Sequence, residues 1–433
     1  MTSSRAAHAS VAFLLLCGAL STFPPVTTDI YLPALPELTR SLKGTPAEGQ
    51  TTLAVYFLGL GLGQLFYGPW SDRAGRRPAM LTGAAIYLAA SFGCAVASSM
   101  AWLIALRFAQ AIGACSGVVI SSAIVRDRFG HQESARIYSM LLTLRGVGPI
   151  LAPLAGGFIV TFFDWRTIFW ALAVFGAVVG VWVFFGLEES RTEAVAERAR
   201  SESPFRAYAA ALRNRTIVGY LATNGFNFSS MFAWIAAAPY LVIGVYKVPP
   251  LYFGWIFGAN AAGFMIASQV NRRLLRRHKA DRLMAFGAIG ALAAAAVLFF
   301  DAATGLGGAW GIFPPLFLVV SSLGFVSTNA MAGGLAVDPS RSGAVSALFG
   351  AGQFALGGLA TALGAVASRD PALAMSGVIL VMAAGAVVFP LIRLARPPLS
   401  RRAGPDPPPA PAPRAGAPGD PADRARTGAR SRP

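Results

Sequence analysis

The segment LEESRTEAVAERARSESPFRAYAAALRNR, residues 187–215, is a charged interruption in an apolar chain, and what flanks it decides the fold. Six runs long enough to cross about 30 Å of hydrocarbon precede it, near residues 9–33, 48–70, 79–98, 101–124, 136–160 and 165–187. Six more follow, near 216–243, 250–271, 282–301, 306–330, 341–366 and 371–394. Composition agrees: of 433 residues, 55% are hydrophobic and 13% charged, with mean hydropathy +0.57, too apolar for a soluble globular chain of this length. The expected fold class is an all-α membrane protein of twelve transmembrane helices in two six-helix halves. The expected organisation is an N-terminal half over 1–187, a cytoplasmic linker over 188–215, a C-terminal half over 216–394 and a disordered cytoplasmic tail over 395–433. That tail is rich in Pro, Ala, Gly and Arg and cannot build a core.

A net charge of +17 raises nucleic acid as a partner, but the distribution of the charge argues against it. Of the 36 Lys and Arg, only Arg40, Lys43, Arg166, Lys247 and Arg369 lie on one side of the expected membrane, and Arg107 and Arg145 fall within spans. All the others sit in the termini and the alternate loops. That asymmetry is the positive-inside pattern, and it puts both termini in the cytoplasm. No nucleic acid is expected as partner; the tail arginines are either solvated or touch anionic lipid head groups. The first apolar run lacks a basic cluster before it and a small-residue cleavage site after it, so no cleavable signal is expected. Cys17, Cys94 and Cys115 fall in apolar runs and read as packing residues. His8, His131 and His278 fall in cytoplasmic segments, with no second acid in the membrane to form a dyad, so neither an enzyme nor a metal site is expected. No phosphate-binding G-x-x-x-x-G-K-[ST] occurs and no cofactor is expected.

Two six-helix halves around a cytoplasmic linker are the plan of many secondary transporters, which hold substrate near the midplane between halves. Against that plan, TTDIYLPALP at residues 27–36 poses a question, because Asp29 follows VAFLLLCGALSTFPPV and so sits inside the hydrocarbon. A charge at that depth costs roughly 2.5 kcal/mol or more and needs a reason. In ALRFAQAIGACSGVVISSAIVRDRF, residues 105–129, Arg107 is a second intramembrane charge. Helix 1 runs outward and helix 4 inward, which brings the two to within roughly 5 Å in depth. Each is the obvious partner for the other. Gly113, Gly117 and Ser121 form a small-residue stripe that reads as helix packing.

GPWSDRAGRRP, residues 68–78, is a cytoplasmic loop in which Asp72 and Arg73 open a turn, Gly75 permits reversal and Arg76 and Arg77 start the next helix. It reads as an ordinary basic loop or as a conformational device. LRGVGPILAPLAGGFI, residues 144–159, concentrates Gly146, Gly148, Pro149, Pro153, Gly156 and Gly157 in one span, which only neighbouring helices could support. Arg145 there either snorkels to the interface or touches substrate. The second half offers Asn224, Asn227, Asn260, Gln269, Asn329 and Gln353 within spans, which line a cavity or join helices. Phe228, Phe232, Trp234 and Tyr240 could wall that cavity, or face lipid or core.

These stretches carry a resemblance. G-P-x-S-D-R-x-G-R-R-P resembles the loop signature of the major facilitator superfamily, in which Asp72, Arg73, Gly75, Arg76 and Arg77 would form a cytoplasmic charge latch that stabilises the outward-facing state. The run from Arg107 to Gln110 resembles the R-x-x-Q-G signature of the fourth helix, with Ala111 in place of the glycine. The Gly148-Pro149 and Gly156-Gly157 pairs resemble the antiporter signature of the fifth helix, more widely spaced here. DIYLPALP, GQLFYGPWSDRAGRRP, DWRTIFW, NFSSMFAWIAAAPYLV, FGANAAGFMIASQVNRRLLRR, TNAMAGGLA and GAVSALFGAGQF, in that order from residue 29 to 354, together are similar to the Bcr/CflA group of drug:proton antiporters.

The resemblance implies the major facilitator fold in a bacterial inner membrane and a monomer that works within the lipid bilayer. It also implies export of small amphipathic antibiotics, bicyclomycin- or chloramphenicol-like, in exchange for protons, with Asp29 and Arg107 coupling the proton. An exporter of a native metabolite such as an amino acid is the alternative. The residues assigned to the substrate cavity are Tyr31, Gln110, Arg145, Asn227, Trp234, Asn260 and Asn329.

Overall fold

A computed structural model describes residues 11–193, 195–197, 203–367 and 370–395, except for the side chains of His131, Ala135, Ser139, Leu142 and Arg145. The expected tail past Ala395 and the Arg145 side chain, with its two alternative roles, therefore lie outside the described residues.

Helix follows helix, and no strand occurs among the described residues. In the first half these are α1 (Val11–Asp29), a 3-10 turn (Leu32–Ala34), α2 (Leu35–Ser41), α3 (Pro46–Ala74), α4 (Arg76–Ala95), α5 (Met100–Arg128), α6 (His131–Phe162) and α7 (Arg166–Gly186). The short α8 (Pro204–Arg213) precedes α9 (Arg215–Ala238), which widens into a π-helix (Pro239–Val245). Then come α10 (Pro250–Leu274), α11 (Ala280–Thr304), α12 (Gly308–Val337), α13 (Ser342–Ala367) and α14 (Pro371–Ala395). Local chemistry fixes several of the starts. Thr45 and Glu48 form a reciprocal capping box at α3. Ser99 accepts from Trp102 N at α5, and Asn214 from Thr216 N and Ile217 N at α9.

Among the described residues, ten stretches are long and apolar enough to cross a membrane. The two remaining long helices, α3 and α6, complete the twelve expected spans. Glu48, Gln50, Gln64, Asp72 and Arg73 make α3 more polar, and α6 is apolar over Gly146–Phe162 alone. Neighbours accommodate both: α3 lies against α5 and α13, and α6 against α1 and α10. A helix with protein on its sides need not be apolar all round.

In the first half, α5 is flanked by α1, α3 and α4, and α4 lies on α7; in the second, α12 is flanked by α9, α10 and α11, and α9 lies on α13. The halves meet along two seams, α3 with α13 and α6 with α10.

The second seam is graded. A methyl placed on Gly157 would strike the Pro250 carbonyl, and one on Gly254 would lie 2.7 Å from Leu154 N. The corresponding distance is 3.5 Å from Gly258 to Ile150 and 3.9 Å from Gly146 to Met265. The helices are tight where α10 begins and loosen toward the arginine-rich loop at its other end. At the tight end Thr39 and Tyr240, from opposite halves, share a 2.8 Å hydroxyl hydrogen bond. The bundle is shut at the end remote from the basic loops.

Candidate functional site

Arg107 is fully buried in α5. Its Nη1 donates to Gln110 Oε1 at 2.6 Å and to the Thr27 carbonyl at 3.4 Å, and Gln110 Nε2 donates in turn to Ser91 Oγ at 2.8 Å. The guanidinium carbon lies 4.1 Å from the ring centroid of Tyr31, 4.2 Å from that of Tyr56 and 6.0 Å from that of Phe169. Two tyrosine faces therefore meet a desolvated cation, which is the arrangement that gives cation–π attraction its greatest strength. The Nε and Nη2 edge has no hydrogen-bond partner, and neither does the Tyr56 hydroxyl.

Asp29 is the last residue of α1 and is 5% exposed. The span does not continue through it as one regular helix: it passes into the 3-10 turn and then α2. Thr28 Oγ1 bonds the Pro24 carbonyl at 2.8 Å, and Thr27 Oγ1 meets Tyr87 OH at 2.7 Å, which anchors the end of α1 below Asp29. The Asp29 carboxylate has no hydrogen bond or ion pair among the described residues, so the expected direct pair with Arg107 is not formed in this structure. The physical reason is local. Arg107 reaches α1 at the Thr27 carbonyl, and a residue two positions further along a helix is turned by about 200° around its axis.

The basic loop is assembled within the first half. Gly75 joins α3 to α4 at φ +109°, a conformation that glycine supplies without strain. The Arg76 side chain is fully buried, with Nε on Asp127 Oδ2 of α5 at 2.8 Å and Nη1 on Ser71 Oγ at 2.7 Å and on Asp72 Oδ1. Arg77 Nη2 caps the Phe184 carbonyl at 2.7 Å, and Arg191 donates to the Arg73 carbonyl. Glu189, beyond α7, accepts from the backbone N–H groups of Arg76 at 2.9 Å and Arg77 at 3.2 Å. From α8, Tyr208 OH donates to the Leu65 carbonyl at 3.2 Å.

The family model of the Major Facilitator Superfamily matches residues 14–365. The chain belongs to the major facilitator superfamily. A bicyclomycin resistance protein homolog of Haemophilus influenzae is 30% identical over 84% of this chain and 91% of its own length. An uncharacterised MFS-type transporter, YdgK, of Bacillus subtilis is 31% identical over 82% and 88%. The multidrug resistance protein MdtL of Salmonella typhi is 32% identical over 54% and 58%. These relatives accord with the Bcr/CflA-type resemblance. Among solved structures, the POT family transporter PepTSo superposes with TM-score 0.70 at 14% identity, covering 89% of this chain and 97% of its own. Partially occluded, inward-open XylE from E. coli gives 0.67 at 12%, covering 88% and 96%. At such identities the likeness is one of fold. The protein is thus a multi-pass membrane transporter of this superfamily.

Within that superfamily fold, the glycines of the antiporter-like helix have separate jobs. A methyl on Gly156 would fall on the Ile30 carbonyl, immediately after Asp29, and Gly157 lies against Pro250. Gly148 is 3.6 Å from the Pro25 ring by the same measure, an ordinary contact. Pro149 and Pro153 are carried inside α6 without ending it.

The residues assigned to the substrate cavity separate into two groups. Tyr31, whose hydroxyl meets Thr52 Oγ1 at 3.0 Å, and Gln110 belong to the Arg107 cage. Arg145 belongs to α6, its side chain outside the described residues, and the other four lie in the second half. Asn227 Nδ2 bonds Ser322 Oγ at 3.2 Å, Asn260 Nδ2 the Ile256 carbonyl at 3.0 Å, and Asn329 Nδ2 Asn271 Oδ1 at 2.9 Å, while Trp234 stacks on Phe257. The oxygens of Asn227 and Asn260, the Trp234 indole N–H and the hydroxyls of Ser230 and Ser321 are buried without partners, on α9, α10 and α12. Two crevices of about 470 and 360 Å³ lie on α11/α12 and α9/α13, and neither includes a residue assigned to the cavity.

Sequence reasoning missed Tyr56, Asp127 and Glu189. Tyr56 had one signal, a phenol in a polar span. Asp127 and Glu189 looked like ordinary charges at helix ends.

Proposed function

We propose that this transporter is a proton-coupled multidrug exporter of a bacterial inner membrane, with both termini cytoplasmic, that expels small amphipathic antibiotics of the bicyclomycin or chloramphenicol type. The observation that carries the proton coupling is Asp29: a buried carboxyl with no hydrogen bond or ion pair among the described residues, at the break between α1 and the 3-10 turn. A carboxyl so placed is held most cheaply as the neutral acid and becomes costly when ionised unless a cation or water reaches it. The relatives named for bicyclomycin and multidrug resistance support the substrate class. The unpartnered amide, hydroxyl and indole atoms of the second half suit a neutral ligand with both donors and acceptors.

In the cycle, a proton from outside neutralises Asp29, the halves rock so that the far end shuts, substrate enters from the cytoplasm, and the proton leaves. Substrate and proton thus occupy the carrier alternately, which yields exchange without ATP. Expression in a pump-deficient bacterium across an antibiotic panel, with everted vesicles reporting proton movement, tests the reading. Drug tolerance together with drug-triggered proton efflux is expected, and both are lost in Asp29→Asn. Tolerance to no drug, with proton-coupled counterflow of an amino acid, would favour export of a native metabolite.

A further inference from the structure

The linker helix α8 docks through one flank and leaves two others uncovered. Ala211 is buried in a cluster with residues of α9 and α13, and Tyr208 OH donates to the Leu65 carbonyl of α3 at 3.2 Å. Seven residues make almost two turns of helix, so Phe205 and Leu212 share a second flank and Arg206 and Arg213 a third. Phe205 is 75% and Leu212 51% exposed. Both arginines are exposed, as is Arg215 at the start of α9, and none of the three makes an ion pair among the described residues. The chain has no acidic residue from Ser203 to Ala280, and Asp72 of α3 is taken by Arg76. One flank on protein, one apolar and one basic is the pattern of a helix lying at a membrane–water boundary.

The crevice of about 360 Å³ begins at this helix. Leu212 forms its rim, Val218 and Leu221 of α9 one wall, and Leu348, Gly352 and Leu356 of α13 the other. Beyond it α13 exposes Leu359, Leu363 and Val366, an apolar strip that in a membrane transporter lies against acyl chains. The wall formed by α13 is also the helix that meets the first half: a methyl on Gly61 of α3 would lie 3.2 Å from the carbonyl of Ala351, another crevice residue.

We propose that α8 and this crevice form a binding site for one anionic phospholipid, with an acyl chain along the α9/α13 crevice and the head-group phosphate on the basic flank of Arg206 and Arg213. Each half of such a ligand answers one uncovered feature. A free phosphate would match the arginines but leave the crevice, Phe205 and Leu212 bare, and a lipid without net charge would fill the crevice but leave the cations unmatched. The site is separate from Asp29 and Arg107 and does not depend on the role of either.

The test is native mass spectrometry of the full chain released from detergent micelles, with dioleoylphosphatidylglycerol, dioleoylphosphatidylcholine or glycerol phosphate added. One phosphatidylglycerol should remain bound, in preference to phosphatidylcholine, and glycerol phosphate should not. A basic residue beside an anionic lipid contributes about fivefold in affinity, so Arg206→Gln with Arg213→Gln should weaken phosphatidylglycerol about 25-fold and leave phosphatidylcholine unchanged. Gly352→Leu sets a side chain into open space and should weaken both lipids; Leu212→Gln stands in if it fails to fold. Arg276→Gln with Arg277→Gln removes the same charge from the exposed loop after α10 and should change nothing. Equal retention of the two lipids by the parent, an equal loss in the two arginine pairs, or undiminished binding in a folded crevice variant overturns the site. Glycerol phosphate retained through Arg206 and Arg213 overturns the lipid as its occupant. So does a dimer that Gly352→Leu dissociates, since a second copy would then cover the crevice.

Discussion

The Glu189 carboxylate holds the start of α4: Oε1 accepts from Arg76 N at 2.9 Å and Oε2 from Arg77 N at 3.2 Å, across more than a hundred residues of chain. The first N–H groups of a helix have no partner inside it, and Gly75 before them has no side chain to offer. The segment leaving the first half thereby closes the helix that follows the basic loop.

Glu189→Ala should therefore lower stability by about 1 kcal/mol, the usual value of a helix cap, as seen in thermal unfolding in detergent, while Glu189→Gln keeps part of the effect. Burial by itself would raise the Glu189 pKa, but the N–H bonds from Arg191, Arg76, Arg77 and Ser190 prevail and hold it below its ordinary value of 4.5. With the folded pKa depressed, the contribution is complete above the unfolded value and disappears as pH falls through the folded one. The stability difference between parent and Glu189→Ala should accordingly narrow as pH falls below the ordinary glutamate value. A difference that persists there means the cap does not depend on the charge.

Asp127→Asn attacks the same corner from α5. Arg76 is fully buried and would keep only Ser71 and the half-exposed Asp72, so the cost should approach the low end of the roughly 3–5 kcal/mol typical of a broken buried pair. Reduced yield of folded protein and a lower unfolding temperature are the expected signs. Asp72→Asn, on the exposed side, should be milder.

Two glycines of one helix should behave in opposite ways. Gly156→Ala sets a methyl on the Ile30 carbonyl, a backbone atom that cannot turn aside, so it should cost about 1–3 kcal/mol and depress transport. Gly148→Ala adds only a 3.6 Å contact with the Pro25 ring and should leave unfolding temperature and transport near those of the parent. Comparable losses in both would mean that the helix needs glycine for flexibility rather than for close approach.

The Thr39–Tyr240 bond at 2.8 Å ties the two halves at the shut end. Tyr240→Phe removes it, at a net cost of about 1 kcal/mol to the closed state, enough to shift an equilibrium about fivefold toward opening at that end. Faster thiol labelling of a cysteine placed at the shut end of α10 would register the shift. Unchanged labelling would show that the tight α6/α10 contacts close that end by themselves.

Twelve apolar runs about a charged linker determined the bundle, because the hydrocarbon leaves a chain little choice but to satisfy its backbone within helices. Asp29 and Arg107 stood out for the same reason: in an apolar run a lone charge is conspicuous, and both proved deeply buried. What each charge touches was not legible. Depth along two helices brings Asp29 and Arg107 to one level, but rotation about the helix axes and the break after Asp29 decide contact, and the faces of Arg107 meet Tyr31 and Tyr56 instead. Glu189 shows the same limit in reverse. At the end of a span it resembles any solvated charge, and only the folding of α7 against α4 brings it to the unpaired N–H groups of Arg76 and Arg77. The sequence by itself determined the elements and their depth, since solvent acts on each residue separately; the partners were decided by the tertiary structure, since a contact depends on two surfaces and on the angle at which they meet.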